Sequence, residues 1–357
     1  MRILIDVMSG DNAPLELLRG AVLAAAEYPQ ISIAVVGTED LIYEIAEAND
    51  IDLEGIEIIP STSVIEMEDK ALSVVRDKKD SSMSVGLHAL AAGEGDAFVS
   101  AGNTGALLAG ATLLVRRIRG IRRAGIASIL PFPNPVLLMD CGANLEVTPE
   151  NIEQFAYMGS LYMKRLYGLS EPRVGLLNNG TEYNKGLPLQ VASYERLSHS
   201  ELNFVGNVEG KTLPFNSCDV AVTDGFTGNL VLKVIEGMGK FFGSLLKDFF
   251  HSSLTTKISG LMVQNRLSAV KKNLDASEHG GAPLLGIAKP VIKAHGSSDA
   301  NAIKNAVHQA MTFVSTEINY DIAEWAAEFE KREQEAEFAE AREERQEAAE
   351  VTQDENK

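Results

Sequence analysis

The run Ala97-Phe98-Val99-Ser100-Ala101-Gly102-Asn103-Thr104-Gly105-Ala106-Leu107-Leu108 compresses three local structures into twelve residues. Residues 97–99 are apolar and strand-like, 100–105 form a turn of small and polar residues, and 106–115 read as an apolar helix. A strand passing through such a turn into a helix is the junction found at the carboxyl edge of a parallel sheet. The first N–H groups of the helix have no intrahelical partner there. Four more runs have the same character: Met8-Ser9-Gly10-Asp11-Asn12, Asp140-Cys141-Gly142-Ala143-Asn144, Asp224-Gly225-Phe226-Thr227-Gly228-Asn229 and His295-Gly296-Ser297-Ser298-Asp299. All but the last follow a short apolar run. Unpaired N–H groups and small polar side chains gathered at such turns hold an anion without a metal. The pattern predicts a phosphate-handling crevice.

Outward from these turns, further apolar strand-like runs lie at 3–5, 31–36, 127–130, 136–139, 174–177, 204–205 and 220–222. Helical patterns separate many of them, at 15–28, 41–49, 83–92 and 152–167. Continuous apolar strands alternating with helices predict an α/β fold, a mainly parallel sheet covered on both faces. Asp11 or Asn12 is placed to cap the first helix, with Pro14 in its opening turn.

The 357 residues suffice for one large domain or two lobes. A net charge of −18 argues against nonspecific nucleic-acid binding, which needs a basic footprint. Cys141 and Cys218 make neither a metal spacing nor a disulfide framework, so a reducing cytosol is expected. The N-terminus lacks a signal-peptide layout, and no apolar run reaches the ~18 residues needed to cross a bilayer.

Two segments differ from the rest. Residues 322–357 carry 13 acidic and 5 basic residues without Gly or Pro, and read as a charged helix fraying into a disordered end. In 241–272, Phe241, Phe242, Leu245, Leu246, Phe249 and Phe250 make one broad helical face, continued by Leu254, Ile258 and Leu261. From 254 to 272 there are four bases and no acid. This stretch either packs in a core or subunit interface or rests on anionic lipid.

The nucleophile elbow, zinc spacing, P-loop and dinucleotide fingerprint are all missing from the sequence. What remains for chemistry is a lysine and several small polar side chains. Lys185, in a polar loop just after the strand 174–177, is either a fixed cation at the strand's carboxyl end or a solvated loop residue. Asn229 is either a helix cap or a site residue. His295 either polarises a carbonyl or is structural. Cys141 reads as a small buried thiol.

Taken together, the motifs resemble the bacterial acyl-carrier-protein:phosphate acyltransferases of the PlsX type. The likeness covers most of 1–316 and is carried by 6–14, Ser81-Ser82-Met83, 99–107, 140–144, Asn207-Val208-Glu209-Gly210, 224–229, 278–286 and 295–306. There are departures. Val7 and Ser9 stand where the family usually has Ala and Gly, which puts a side chain where the backbone would approach an anion. His279 stands where tyrosine is frequent.

The resemblance implies transfer of a fatty acyl group from acyl carrier protein to inorganic phosphate, giving an acyl phosphate for phospholipid synthesis. It implies a three-layer α/β/α fold of the isocitrate- and isopropylmalate-dehydrogenase type, shared with phosphotransacetylases. It also implies a homodimer, no cofactor or metal, and a peripheral place on the inner membrane face near the downstream glycerol-3-phosphate acyltransferase. By motif match, Lys185 and Asn229 are the catalytic pair. Gly10, Asp11, Asn103, Thr104, Asn144, Asn207, Asp224, Thr227, His295, Ser297 and Ser298 bind phosphate or substrate. Arg116, Arg117, Arg119, Arg122 and Arg123 are expected to dock the acidic carrier, and Leu254, Ile258, Leu261 and Met262 to contact membrane. The expected catalytic domain spans 1–320, with 241–272 protruding and 321–357 as an acidic tail. The competing readings are a phosphotransacetylase acting on short acyl-coenzyme A and a non-catalytic scaffold for lipid synthesis.

Overall fold

Alternation along each strand sorts the apolar residues into two faces of one sheet. In the computed structural model, which describes residues 1–253, 255–257, 259 and 280–335, the strands are β1 (Arg2–Asp6), β2 (Ser32–Gly37), β3 (Ile56–Pro60), β4 (Ala97–Ser100), β5 (Gly125–Leu130), β6 (Val136–Met139), β7 (Val174–Asn178), β8 (Phe204–Glu209), β9 (Val220–Val222), β10 (Ala282–Leu285) and β11 (Val291–Lys293). They form an 11-stranded sheet in the order β3-β2-β1-β4-β11-β10-β5-β6-β9-β7-β8.

Leu4, Phe98, Val136 and Leu138 point to one face and share a core with Leu87, Leu107 and Val74. Ile3, Ile5, Val99 and Ile292 point to the other, against Leu17, Leu18, Ile303 and Val307. In the second half Leu137, Met139 and Val222 meet Phe155, Met158 and Tyr162. Helices therefore cover both faces, as the apolar strands require.

The sheet is mostly parallel, with an antiparallel seam. β3, β2, β1, β4 and β11 run parallel, as do β6, β9, β7 and β8. Between these blocks the pairs β11–β10, β10–β5 and β5–β6 are antiparallel. Three reversals leave the two blocks pointing in opposite directions. The fifth polar turn also follows a strand, the three-residue β11, which sequence periodicity did not show.

Helix ends obey local chemistry. The helix Pro149–Tyr167 starts with proline after Thr148, whose N–H donates to Asn151 Oδ1 (3.1 Å), and stops at Gly168 in the left-handed conformation. The first helix, Leu15–Glu27, has no side-chain cap. Asn12 instead donates to the Ser297 and Ser298 carbonyls.

Two expectations change in three dimensions. Residues 318–335 are helical and bury Ile318, Ile322 and Ala326 in the second core and Phe329 beside Trp325, which stacks on Tyr157 with ring centroids 4.3 Å apart. The start of the acidic segment thus belongs to the folded core, because its apolar residues recur at helical spacing beneath the charges. Secondly, Phe241, Phe242, Leu245, Leu246 and Phe249 lie exposed on the long helix Gly225–His251, not in the core of this chain. Leu254, Ile258, Leu261 and Met262 lie outside the described residues, as do 336–357.

Candidate active site

Three turns from the first block are locked together. The Asp11 N–H donates to the Gly296 carbonyl (2.8 Å). Gly10 has φ 130°, and a β-carbon there would approach Ala101 Cβ and Gly296 O to 3.1 Å. Ser9 is buried, and a β-carbon on Gly102 would come within 2.6 Å of Ser9 Cβ. The Ser9 side chain is therefore packed against the Gly102 turn.

Beneath these turns lies Asp6, fully buried, accepting from Ser100 Oγ (2.8 Å) and the Met8 N–H (3.1 Å). Burial pushes its carboxyl up, and the Ser82, Ser9 and Ser100 hydroxyls pull it part of the way back. Beside it Lys293, at the end of β11, donates Nζ to the carbonyls of Ala101 (3.1 Å) and Ala294. Its half-buried ammonium is pushed down to about 8 by desolvation, then by the charge of Lys233, against the pull of Asp11 and Asp6. His295 is lowered too, first by burial and then by Lys233, with Lys293 and Lys240 adding and Glu236 opposing. Its Nδ1 lies 2.9 Å from Ser297 Oγ, and Ser298 Oγ donates back to the His295 carbonyl (2.7 Å).

The second block supplies the turn after β6, built around the buried Asp140 carboxylate. Its Oδ1 accepts from the N–H groups of Ile126, Gly142 and Ala143, and its Oδ2 from the N–H and Nδ2 of Asn144. The Asn144 amide also donates to the Ala124 carbonyl (2.8 Å). Asp224 caps the long helix, accepting from the Thr227 N–H (2.8 Å) and Oγ1 (2.7 Å). Gly228 must be glycine, since a β-carbon would lie 1.8 Å from the Asp140 carbonyl oxygen. That contact seats the helix start on the turn and sets Asn229 against Gly142, whose added β-carbon would lie 3.5 Å from Asn229 Cβ and Cγ.

Asn229 is therefore not the helix cap. It sits one turn inside the helix, followed by Lys233, Glu236 and Lys240. Those spacings, four, seven and eleven residues, place all four on one face. Lys233 pairs with Glu236 at 2.9 Å. The positive charges of Lys233 and Lys240 lower His295, and that of Lys233 lowers Lys293. Val231, Leu232 and Ile235 pack the helix onto the core.

The residues read from the sequence divide by what their side chains do. Asn103, Asn144, Asp224 and Thr227 are committed to the scaffold. Asn103 caps the helix Thr104–Gly110 and donates to the Met67 and Asp69 carbonyls. Asp11, Thr104, Asn229, His295 and Ser297 remain at least partly open to solvent. Lys185 lies in an exposed loop whose carbonyl accepts from Asn178 Nδ2 (3.0 Å), and Asn207 Nδ2 reaches the same loop at the Glu182 carbonyl (2.7 Å). No hydrogen bond or ion pair joins Lys185 to Asn229 among the described residues.

The five arginines are all exposed, on a loop anchored by the buried Ile118 and Ile121. Arg119 approaches Glu330 (3.7 Å) and Arg122 approaches Glu333 (3.5 Å), both from the terminal helix. Cys141 and Cys218 are buried, and burial raises both thiols, Cys218 to about 11, so neither is a thiolate nucleophile near neutral pH. Among the described residues no group of three His, Cys, Asp or Glu side chains could hold a metal ion. Lys293, Lys233 and Lys240 were missed from the sequence; an isolated lysine in a helix or short strand carries no signal until its neighbours across the fold are known.

Residues 1–320 match the family described as fatty acid synthesis protein. A phosphate acyltransferase of Caldanaerobacter subterraneus is 42% identical over 325 residues, covering 91% of this chain and 97% of that protein. One from Caldicellulosiruptor bescii is 46% identical over 320 residues, covering 89% and 96%. Among solved structures, a phosphotransacetylase from Streptococcus pyogenes superposes with a TM-score of 0.56 at 15% identity, covering 89% of this chain and 94% of that one. A branched-chain phosphotransacylase from Enterococcus faecalis gives 0.54 at 14% identity, covering 88% and 99%. These structures share the fold.

Proposed function

The chain belongs to the fatty acid synthesis protein family, whose relatives at 42–46% identity are phosphate acyltransferases, and we propose on that premise how its residues perform the transfer. The protein moves a fatty acyl group from acyl carrier protein to inorganic phosphate. A phosphate oxygen attacks the thioester carbonyl carbon, the C–S bond breaks, and a C–O–P mixed anhydride forms. The proton of the phosphate dianion leaves with the carrier's thiol. Phosphate is itself the nucleophile, so no side chain need be acylated, and the buried cysteines agree with that. Catalysis then rests on holding two reactants together and stabilising the tetrahedral oxyanion.

The observation that carries the site assignment is the polar face of the long helix, with Asn229 beside the Asp140 turn and the charge of Lys233 bearing on Lys293. Asn229 donates to the thioester oxyanion, and Lys185 offsets phosphate charge from its loop. Backbone and side chains of Gly10, Asp11, Thr104, His295, Ser297 and Ser298 line the anion side. The exposed arginine loop meets the acidic carrier. The exposed aromatic face of the long helix serves a homodimer or the membrane surface, where the product meets the glycerol-3-phosphate acyltransferase. No helix among the described residues is long and apolar enough to cross a membrane.

The test is to incubate the protein with palmitoyl-carrier protein, with and without phosphate, following free thiol and hydroxylamine-reactive acyl phosphate. Phosphate-dependent release of both is expected. Thiol release independent of phosphate, a trapped acyl-protein, or a preference for acetyl-coenzyme A would overturn the reading.

A further inference from the structure

Lys293 is the least expected charge in the molecule. It ends a strand whose other residues, Val291 and Ile292, are buried, and its Nζ is tethered by the Ala101 and Ala294 carbonyls. Those bonds aim an ammonium at the place where the turns 8–12, 100–105 and 295–298 meet. It makes no ion pair among the described residues. Asp6 is below it, but that carboxylate is occupied by Ser100 and the Met8 N–H.

The other charges around Lys293 have the same sign. The charge of Lys233, on the long helix, lowers Lys293, and Lys233, Lys240 and Lys293 all lower His295. The opposing groups are Asp11, Asp6 and Glu236. Of these, Glu236 is paired with Lys233. In a chain of net charge −18, there is no general surplus of bases to explain such a gathering. Lys293 itself is desolvated without an ion-pair partner among the described residues, a cost that a bound anion offsets. Asp11, Asp6 and Glu236 offset part of it, yet Lys293 forms no ion pair with any of them among the described residues.

We propose that Lys293 is the ammonium that binds the attacking orthophosphate, with Lys233 adding positive charge from the long helix and the locked Gly10–Asn12 and Gly296–Ser298 turns walling the site. This deepens the acyl-to-phosphate reading and rests on it. The helical turn between Lys233 and Asn229 spans roughly 6 Å along the axis, the separation suited to holding phosphate at one end and the thioester carbonyl at the other. Lys293 is thus a substrate-binding residue for the nucleophile, and Lys185 adds charge from the second block.

The experiment compares wild type, Lys293→Gln and Lys293→Arg. Losing a charge-assisted contact to a dianion should raise the phosphate KM of Lys293→Gln roughly 10–100-fold, with the carrier KM within twofold. Calorimetric titration with inorganic phosphate alone should show the same loss without any turnover. In wild type, kcat/KM for phosphate should fall as pH rises past about 8, where Lys293 loses its proton. In Lys293→Arg, which stays protonated, that fall should disappear. If the glutamine variant does not fold, the Lys293→Arg pH profile decides the matter, and an unmoved alkaline limb rejects the assignment. A phosphate KM within twofold in folded Lys293→Gln also rejects it. So does a rise confined to the carrier KM, which would place the carrier's phosphodiester arm there. Wild type that makes no acyl phosphate removes the underlying reading instead.

Discussion

Replacing Asp140 by asparagine tests whether one carboxylate organises the second half of the site. Asp140 is fully buried, and its two oxygens accept five hydrogen bonds. Asparagine keeps one oxygen and turns an NH2 group toward donors. If the retained oxygen faces Ile126, Gly142 and Ala143, the N–H and Nδ2 of Asn144 lose an acceptor, at distances now of 2.7 and 2.9 Å. Each bond to a charged acceptor contributes about 1.5–3 kcal/mol, so the two together come to roughly 3–6 kcal/mol. Removing a buried charge returns part of this, since burial raises the Asp140 carboxyl despite its donors. The net expectation is destabilisation by about 2–4 kcal/mol, read from urea unfolding by far-ultraviolet circular dichroism. Turnover should fall as well, because the turn abuts Asn229 and the Gly225 N–H donates to the Asn144 carbonyl (2.7 Å). A stability change under about 1 kcal/mol with normal turnover would show that the turn holds itself without the carboxylate.

Asn229→Ala should keep its fold, since its side chain caps nothing, and lose roughly 10²–10³ in kcat, the cost of one oxyanion donor. Lys185→Ala, in an exposed loop, should likewise fold normally with reduced turnover; near-normal kcat in either purified variant removes that residue from the catalytic pair. For carrier docking, Arg119→Glu with Arg123→Glu is cleaner than a change at Arg122, which also approaches Glu150 and Glu333. That double reversal should raise the KM for acyl-carrier protein, more at low salt, and leave phosphate KM unchanged. An unchanged carrier KM at low ionic strength excludes the arginine loop.

Sequence turns were readable because each is local. A strand, a Gly- and Asn-rich turn and a helix follow one another within about a dozen residues, and every one of the five runs occupies the end of a strand in the structure. Asn103, Asn144 and Asp224 were correctly placed at turns, yet their side chains are spent on backbone groups. Whether a polar residue in a turn faces the ligand or the chain depends on which N–H groups lie beneath it. The terminal helix was misread for a related reason. Its charges dominate the composition, whereas Ile318, Ile322, Ala326 and Phe329 are few, and only their spacing reveals a buried stripe.

Strand-to-helix turns, apolar runs and the order of motifs were enough to determine an α/β fold, the family and phosphate as the acceptor, because all are written in neighbouring residues. Tertiary structure alone decided that the two parallel blocks oppose each other, that the start of a 27-residue helix seats on the Asp140 turn, and that Lys293 meets the Ala101 carbonyl 192 positions away. Electrostatic and hydrogen-bond partners are chosen by distance in space, and distance in space is set by strand order, which no local pattern encodes.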